Sequence, residues 1–493
     1  MAWSVRKQVF AWCATGLGLV ALEESSVAQG RDNNRPLDQD TIKRLEAVIP
    51  SVKDSLKSGN PNSQKAALTL LADLPPALVA RADMGPAIRN LLESKPADPE
   101  IVNMALRAFG KSYPLPAEID KTFKLFDGST DPAVQQGLAE AATGLVTSAV
   151  PSSKSVRNAK PYADIAATVM PYLSNSLNGA RPATRVTGLK GYQSIGTSLA
   201  DIFTFESNPS RELFPDEVKP KTDRWEPLFP ILKKLDTELP KLAGVLADQD
   251  ATARLTAIQV VESFGNARKA AVAADPGITS FGTKGFEPLV PKLASCLQDS
   301  DPVIRMAAIE ALDPLGGGLV HVGALIPATS DSVLPVRWAA VRALGKIAPA
   351  NGTGKDSAAA VEALAKLAND PDVDLRSAAL VALQRYGAAA KAANSEIVRA
   401  VTTGDVECRI IAMRTLVAVK LDPVDAVPAL VPALEDDIRL ARAAAVALGR
   451  YGPPAKSAVP SLRKALSSTD QELRLAAGEA LLLIENPKKP KDD

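Results

Sequence analysis

The sequence predicts an all-α protein, an α-solenoid in which about 11–12 helix pairs stack in a row. A short motif of Asp, Arg and several Ala recurs along the second half of the chain. Hydrophobic residues make up 46% of the 493 residues but aromatic residues only 4%, so the apolar content is aliphatic and rich in alanine. Such a composition suits close-packed helices. The sequence shows no apolar and polar alternation with a period of two, which strands would require.

The recurring motif reads Asp, three residues, Arg, then x-A-A-x-x-A-L. Its Arg position recurs at intervals of 32 to 51 residues, and the longer intervals fit one basic repeat plus an inserted loop. A period in this range is typical of repeat arrays. The residues at the Arg position are Arg254, Arg305, Arg337, Arg376, Arg409, Ala441 and Arg474.

The Asp of the motif predicts the start of a helix, because Asp side chains cap helix N-termini. Pro302 follows one such Asp at the first helical position, where its missing N–H costs nothing. Apolar residues at offsets +2, +3, +4, +6 and +7 from the Arg position form a stripe broad enough for a helix held between two neighbours. The capping Asp residues are Asp250, Asp301, Asp372, Asp405, Asp437 and Asp470.

Similar helix starts extend the array upstream at Asn60-Pro61, Asp98-Pro99, Asp131-Pro132 and Arg181-Pro182. We therefore expect a degenerate N-terminal solenoid over residues 38–202 and a C-terminal solenoid over residues 226–486. Residues 203–225 carry three prolines and mixed charge, which favours a linker or an inserted loop. Further insertions are predicted at 266–286 and 350–357, and residues 487–493 are expected to be a disordered tail.

The motif D-x-x-[VIL]-R-x-A-A-x-x-A-L resembles the HEAT repeat family, in particular the short bacterial type called PBS-lyase HEAT-like. Its best matches are residues 301–312, 372–383, 405–416 and 470–481. The resemblance implies a ladder of hydrogen bonds between Asp and Arg of successive repeats, interrupted at Val333 and Ala441. The cap and ladder residues would be Asp250, Arg254, Asp301, Arg305, Asp372, Arg376, Asp405, Arg409, Asp470 and Arg474.

The N-terminus predicts export. Arg6 and Lys7 precede an apolar stretch of fourteen residues, which is shorter than a membrane span requires, and small residues follow as far as Ala28. We interpret residues 1–28 as a signal peptide and expect a periplasmic or secreted protein without a stable membrane span after cleavage. An uncleaved signal that anchors the chain in the inner membrane, and a short buried helix, are the alternatives.

The chain offers few residues for catalysis. It has one histidine, His321, and three cysteines, Cys13, Cys296 and Cys408, which removes most metal-dependent and histidine-dependent schemes. Cys296 and Cys408 occupy slots that other repeats fill with small or aliphatic residues, so we expect buried thiols without a disulfide. The formal net charge of +1 argues against nucleic acid as a partner. We predict no catalytic residue, no metal and no cofactor.

The exposed face of the second helices suggests a docking surface for another protein. Offsets +1, +5 and +9 from the Arg position lie one turn apart and outside the apolar stripe. They hold six cations, one Trp and no acid in four consecutive repeats, which fits an acidic or mixed acidic and apolar segment. A solvated helix face is the alternative. The predicted binding surface consists of Trp338, Arg342, Lys346, Arg385, Arg414, Arg442 and Arg450.

The sequence therefore favours a non-catalytic scaffold that binds a protein partner along the solenoid surface. A second hypothesis is a HEAT-like enzyme, such as a bilin lyase or an alkylbase DNA glycosylase, which rests on family analogy alone. A third is a subunit of a membrane-associated complex.

Overall fold

The computed structural model describes residues 39–151, 154–208, 224–275, 278, 283–315, 322–348 and 356–485. The predicted signal peptide, His321 and the predicted tail lie outside these ranges. Within them, all regular secondary structure is helical and there is no strand. The chain divides into two compact units, Met1–Tyr113 and Pro114–Asp493. The all-α solenoid predicted from the sequence is confirmed.

The first unit contains five α-helices in its described residues. Helix α2 packs against α1 and α5, and α4 packs against α1 and α5, which gives two layers of helices. The Lys65 ammonium lies 2.7 Å from an Asp98 carboxylate oxygen and joins the start of α5 to α2. The five helices are α1 (Gln39–Lys57), α2 (Pro61–Asp73), α3 (Pro76–Arg81), α4 (Gly85–Glu93) and α5 (Pro99–Gly110).

The second unit repeats one arrangement, a short first helix followed by a longer second helix. The second helices α7, α9, α12, α15, α16, α18, α20, α22 and α24 pack side by side in chain order. The described α-helices are α6 (Pro116–Lys124), α7 (Pro132–Ser148), α8 (Lys160–Ser176), α9 (Pro182–Glu206), α10 (Phe229–Glu238), α11 (Leu242–Val245), α12 (Ala251–Ala274), α13 (Thr283–Phe286), α14 (Leu289–Cys296), α15 (Pro302–Leu312), α16 (Leu334–Ile347), α17 (Ser357–Leu367), α18 (Val373–Arg385), α19 (Asn394–Thr402), α20 (Val406–Ala418), α21 (Pro423–Leu430), α22 (Ile438–Tyr451), α23 (Val459–Ala465) and α24 (Gln471–Glu485).

Short segments of 3-10 helix connect or extend these α-helices. Prolines promote such 3-10 segments after the short first helices. Pro432, for example, lies in the segment that continues α21, where it has no N–H to donate the next α-helical hydrogen bond. The described turns are Val156–Asn158, Glu226–Leu228, Leu239–Lys241, Asp313–Leu315, Val322–Leu325, Pro327–Ser330, Gly387–Ala393, Val431–Glu435 and Pro453–Ala458.

Side-chain caps fix where the second helices begin. An Asp301 carboxylate oxygen accepts the Val303 N–H at 2.8 Å, and Asp250 accepts the Ala253 N–H at 2.8 Å. Asp131 caps α7 in the same way, by accepting the Ala133 N–H at 2.8 Å. Each cap satisfies one of the backbone donors that the first turn of a helix leaves without a partner.

Alanine at one position allows the second helices to approach each other. The residue three positions after the Arg position is alanine in every motif repeat, and each of these side chains is 0% exposed. Gly449 has the same role at the contact of α22 with α24, where an added Cβ would lie 3.0 Å from the Ala480 Cα. The alanines are Ala257, Ala308, Ala340, Ala379, Ala412, Ala444 and Ala477.

Two helices continue into segments for which the sequence predicted a linker or an insertion. Helix α9 runs to Glu206 and so includes the first four residues of 203–225, and α12 runs to Ala274, well into 266–286. The Phe203 and Trp225 rings then contact each other, with centroids 5.0 Å apart and ring planes tilted by 50°. The compact units divide at Tyr113, whereas the sequence predicted the joint at 203–225. Both ends of that segment therefore pack within the second unit.

None of the helices in the described ranges combines the length and the hydrophobicity that crossing a membrane requires.

Candidate functional site

The Arg position of the motif connects successive repeats. Arg305 donates from Nε and Nη2 to the two Asp331 carboxylate oxygens at 2.7 and 2.8 Å. Its Nη1 donates to the Asp299 carbonyl, at 2.9 Å, in the loop before its own helix. One guanidinium thus fixes the loop of its own repeat and the loop of the next. We call such an Arg–Asp pair between repeats a rung.

The rungs begin further upstream than the motif does. Arg254 forms the same two-point contact with Asp299, with its Nε 2.7 Å and its Nη2 3.1 Å from the carboxylate oxygens. One repeat earlier, Arg185 Nη2 donates to an Asp248 carboxylate oxygen at 2.9 Å. The three guanidinium side chains and their carboxylates are only 10–16% exposed. Two-point Arg–carboxylate contacts of this kind are among the stronger polar contacts in proteins.

The carboxylate of a regular rung is not the capping Asp that the sequence analysis proposed for the ladder. Asp301 caps its helix, whereas Asp299, two residues earlier, receives Arg254. An oxygen of Asp299 also accepts the Asp301 N–H at 2.9 Å, which orients the carboxylate. Asp250 and Asp372 likewise cap helices and form no ion pair with any residue that the structure describes. An Asp-x-Asp spacing was the signal for the second Asp, and it is present at 248–250, 299–301 and 370–372.

Later rungs are less regular. Arg376 Nη2 lies 2.9 Å from Asp405, which is also the cap of α20. Arg409 Nη1 lies 2.8 Å from Asp436. Where the Arg position holds Ala441, the next residue takes over: Arg442 pairs with Asp470 and with Glu472. The ladder therefore continues past Ala441, contrary to the predicted interruption, and Arg442 does not stand free on the predicted binding surface.

Among the arginines at the Arg position, Arg337 and Arg474 have no carboxylate partner in the described ranges. Arg337 donates to the Asp331 carbonyl at 2.9 Å, and Arg474 donates to the Ser468 and Thr469 carbonyls at 2.9 Å. Val333 does not interrupt the ladder, because Asp331 still receives Arg305 and accepts the Val333 N–H at 2.8 Å. The gap falls one repeat later, after Arg337.

The rungs keep their carboxylates ionised. A hydrogen bond from Arg305 is the main cause that lowers the pKa of Asp331, and it outweighs burial, which acts in the opposite direction. Burial raises the pKa of Asp405, but hydrogen bonds from the Cys408 N–H and thiol and from Arg376 outweigh it and lower that pKa to about 2. These carboxylates are therefore charged at neutral pH and act as acceptors.

The remaining predicted surface is cationic and exposed. Arg342, Arg385, Arg414 and Arg450 are exposed and form no ion pair with any residue that the structure describes. They occupy offsets +5 or +9 of α16, α18, α20 and α22, which pack side by side. Val381 and Val446, at offset +5 of α18 and α22, are 47% and 52% exposed. We call these four arginines and two valines the basic surface.

The end of the basic surface at α16 is more constrained. The Arg342 guanidinium lies over the half-buried Trp338 ring, 4.7 Å from its centroid, and Lys346 pairs with Asp313. Burial raises the pKa of Glu310, and Arg342 and Lys346 partly offset this rise. Charge therefore alternates here, with acidic groups of α15 beside cations of α16.

The cysteine thiols in the described ranges are buried. Cys296 and Cys408 are free and buried. Burial raises the pKa of Cys296 to about 11 and also raises that of Cys408, so neither thiol is ionised at neutral pH. No group of three or more His, Cys, Asp or Glu side chains in the described part of the chain could hold a metal ion.

The second unit also contains a polar cluster that was not predicted from the sequence. The Glu238 carboxylate accepts the Ser174 hydroxyl, lies 3.2 Å from the Tyr192 hydroxyl and lies 2.9 Å from the Lys241 ammonium. These contacts tie α8, α9 and α10 together. Gln135 was also missed: it stands at the Arg position of α7 and donates to the Ser129 carbonyl at 3.0 Å, as the arginines do to their own loops.

Comparison with protein families gives three matches, all to repeat models. The model described as HEAT repeats matches residues 427–491, the HEAT repeat model matches 289–318, and the PBS lyase HEAT-like repeat model matches 336–370. The chain therefore contains HEAT repeats. No curated protein matches this HEAT-repeat chain. Among solved structures, the crystal structure of an engineered protein from the Northeast Structural Genomics Consortium covers 81% of the chain and 98% of its own, at 19% identity and a TM-score of 0.45.

Proposed function

We propose that this HEAT-repeat protein is a non-catalytic scaffold whose basic surface binds an acidic or mixed acidic and apolar segment of another protein. HEAT repeats form a repeat scaffold that commonly mediates protein interactions. One observation carries the proposal: Arg342, Arg385, Arg414 and Arg450 are exposed and form no ion pair with a described residue, although other arginines of α18, α20 and α22 pair with carboxylates. Unpaired cations next to exposed valines suit a partner that brings both carboxylates and apolar side chains.

The arginines fall into two sets that make different contacts, and this difference supports the proposal. Arginines at the Arg position lie between repeats and bind the chain's own carbonyls and carboxylates, so they are already occupied. Those at offsets +5 and +9 point away from the apolar stripe and form no ion pair with a residue that the structure describes. A partner could therefore use the second set without disturbing the contacts between repeats.

Charge reversal tests the proposal. In a double variant Arg385→Glu and Arg414→Glu, we expect loss of at least tenfold in partner recovery when the tagged protein is used to retrieve partners from extracts of its source. The melting temperature should stay unchanged, because neither guanidinium forms a hydrogen bond or ion pair with a residue that the structure describes. The matched control is the double variant Lys391→Glu and Lys456→Glu, which changes the net charge equally at exposed sites outside the basic surface. Equal recovery with both double variants would contradict the proposal.

We also propose that the chain is exported, on the basis of the N-terminal sequence alone. Mass spectrometry of the mature protein should find an N-terminus close to residue 29. An intact Met1 in protein recovered from the membrane fraction would instead support the anchored alternative, in which the scaffold serves a membrane-associated complex.

A further inference from the structure

In one rung of the ladder, a threonine stands where the regular rungs have the accepting carboxylate. Asp248, Asp299, Asp331 and Asp370 each stand six residues before an Arg position, whereas Thr403 stands six residues before Arg409. Arg254 and Arg305 meet Asp299 and Asp331 at that position of the following repeat. Arg376 therefore meets a threonine where the two regular rungs have a carboxylate.

The Arg376 guanidinium shows the consequence. Its Nη2 donates to Asp405 at 2.9 Å and its Nη1 donates to the Asp370 and Pro371 carbonyls. Its Nε is buried and donates to no oxygen in the described ranges, and the Cys408 thiol is the other polar group that this guanidinium contacts. In the rungs of Arg254 and Arg305, the same nitrogen donates to an Asp oxygen at 2.7 Å. A buried donor without an acceptor costs free energy that a bound acceptor would recover.

A cavity occupies the place of the missing carboxylate. It has a volume of about 150 Å³, room for several water molecules, and is lined by Asn369, Arg376, Arg399, Thr403, Gly404 and Cys408 together with two alanines. The lining contains two guanidinium groups and no carboxylate. Arg399 is exposed and forms no ion pair with any described residue.

The donors of this cavity select one class of ligand. The Thr403 hydroxyl donates to the Arg399 carbonyl at 2.8 Å, so its hydrogen is already used. The Arg376 Nε–H, the Arg399 guanidinium and the Asn369 amide remain to donate into the cavity. Planar guanidinium groups bind carboxylate, phosphate and sulfate oxygens through paired hydrogen bonds.

We propose that the cavity formed by α18, α19, α20 and the end of α17 binds a small oxyanion, such as inorganic phosphate, sulfate or a short carboxylate, which completes the Arg376 rung. The anion replaces the side chain that Asp299 and Asp331 supply in the regular rungs. This site is independent of the basic surface, because it uses none of the arginines of that surface.

Isothermal titration calorimetry with inorganic phosphate, in a phosphate-free buffer of low ionic strength, tests the proposal on the full chain. We expect one saturable site per chain in the wild-type protein. Arg399→Gln should weaken phosphate binding about tenfold, through the loss of a charge-assisted hydrogen bond, without lowering the melting temperature. Parallel titrations with sulfate and acetate show whether the site prefers a tetrahedral anion or a carboxylate.

Thr403→Asp is the decisive variant, because its carboxylate would occupy the cavity and restore the regular rung. We expect it to abolish phosphate binding and to raise the melting temperature in phosphate-free buffer. Thr402→Asp is the matched control: Thr402 is exposed, its hydroxyl donates to the same Arg399 carbonyl at 3.0 Å, and it does not line the cavity. This control should retain phosphate affinity within about twofold of wild type.

Three results would overturn the proposal. The absence of saturable phosphate, sulfate and acetate binding to the wild-type chain would show that the cavity holds only water. Undiminished binding to the Thr403→Asp variant would place the anion elsewhere. Equal weakening by Thr402→Asp and Thr403→Asp would mean that the anion responds to net charge alone.

Discussion

At the scale of single residues, the position of an arginine along its helix decides its role. Arg409 and Arg414 lie on the same helix, α20, only five residues apart. Arg409 reaches Asp436 at 2.8 Å and is half-buried, while Arg414 is exposed and has no described acid beside it. The first position faces the next repeat and the second faces outward, so chemically identical side chains serve packing in one case and are available for recognition in the other.

Removing a regular rung should destabilise the repeat locally. Arg305→Ala leaves the Asp331 carboxylate, whose side chain is 10% exposed, without its guanidinium partner. We expect the opening free energy of α15 and of the loop before α16 to fall by about 1–3 kcal/mol, measured by native-state hydrogen exchange. Arg474→Ala is the control, because Arg474 holds no carboxylate in the described ranges and should cost less.

The pH dependence of this loss separates charge from packing. Because Arg305 lowers the pKa of Asp331, the pair stabilises the folded state fully above the unfolded pKa of about 4, and this contribution disappears as the pH falls through the lowered folded pKa. The cost of Arg305→Ala should therefore be larger near neutral pH than at about pH 3. An equal cost at both pH values would show that Arg305 acts through its apolar contacts instead.

At the scale of the helices, small side chains set the spacing between repeats. Ala412 of α20 is 0% exposed and faces the neighbouring second helices. A larger side chain at this position would have to displace the atoms packed around it. Bulky apolar residues are accepted on the opposite face, as the 47% exposure of Val381 on α18 shows.

Enlarging that alanine should therefore be costly. Ala412→Leu should lower the opening free energy of α20 by about 1–3 kcal/mol, because an overpacked core must shift its backbone. Ala418→Leu is the matched control on the same helix, where the residue is exposed and helix propensity changes little. Hydrogen exchange of α18, α20 and α22 measures both variants. Similar protection in the two variants would contradict the claim that alanine sets the helix spacing.

At the scale of the whole molecule, the period of the sequence predicts the fold because each repeat buries its apolar stripe against the next one. Capping residues such as Asp301 and small buried residues such as Ala379 recur from repeat to repeat, so the fold could be predicted from them. The exact acceptor of each rung could not be predicted in the same way. Asp299 and Asp436 stand at different offsets from the following Arg position, and their loops, not their helices, bring them to Arg254 and Arg409.

The basic surface could be predicted in part for a related reason. Helix periodicity places Arg385 and Arg414 on the exposed side, and the structure has them there. Arg442 has the same periodicity but turns to Asp470, since Ala441 leaves that carboxylate without its usual partner. Which of two neighbouring positions pairs with a given carboxylate depends on tertiary contacts. Helix periodicity alone does not predict it.

Site-specific photo-crosslinking in the native source tests the scaffold function most directly. A photoreactive residue in place of Val381 lies between the arginines of the basic surface, and one in place of Val424, 78% exposed on α21, serves as the control. We expect Val381 to yield a single crosslinked protein whose attached peptide is acidic, and we expect that product to vanish when Arg385 and Arg414 are changed to Glu. Identical products from both positions, or a product that survives the charge reversal, would contradict the account.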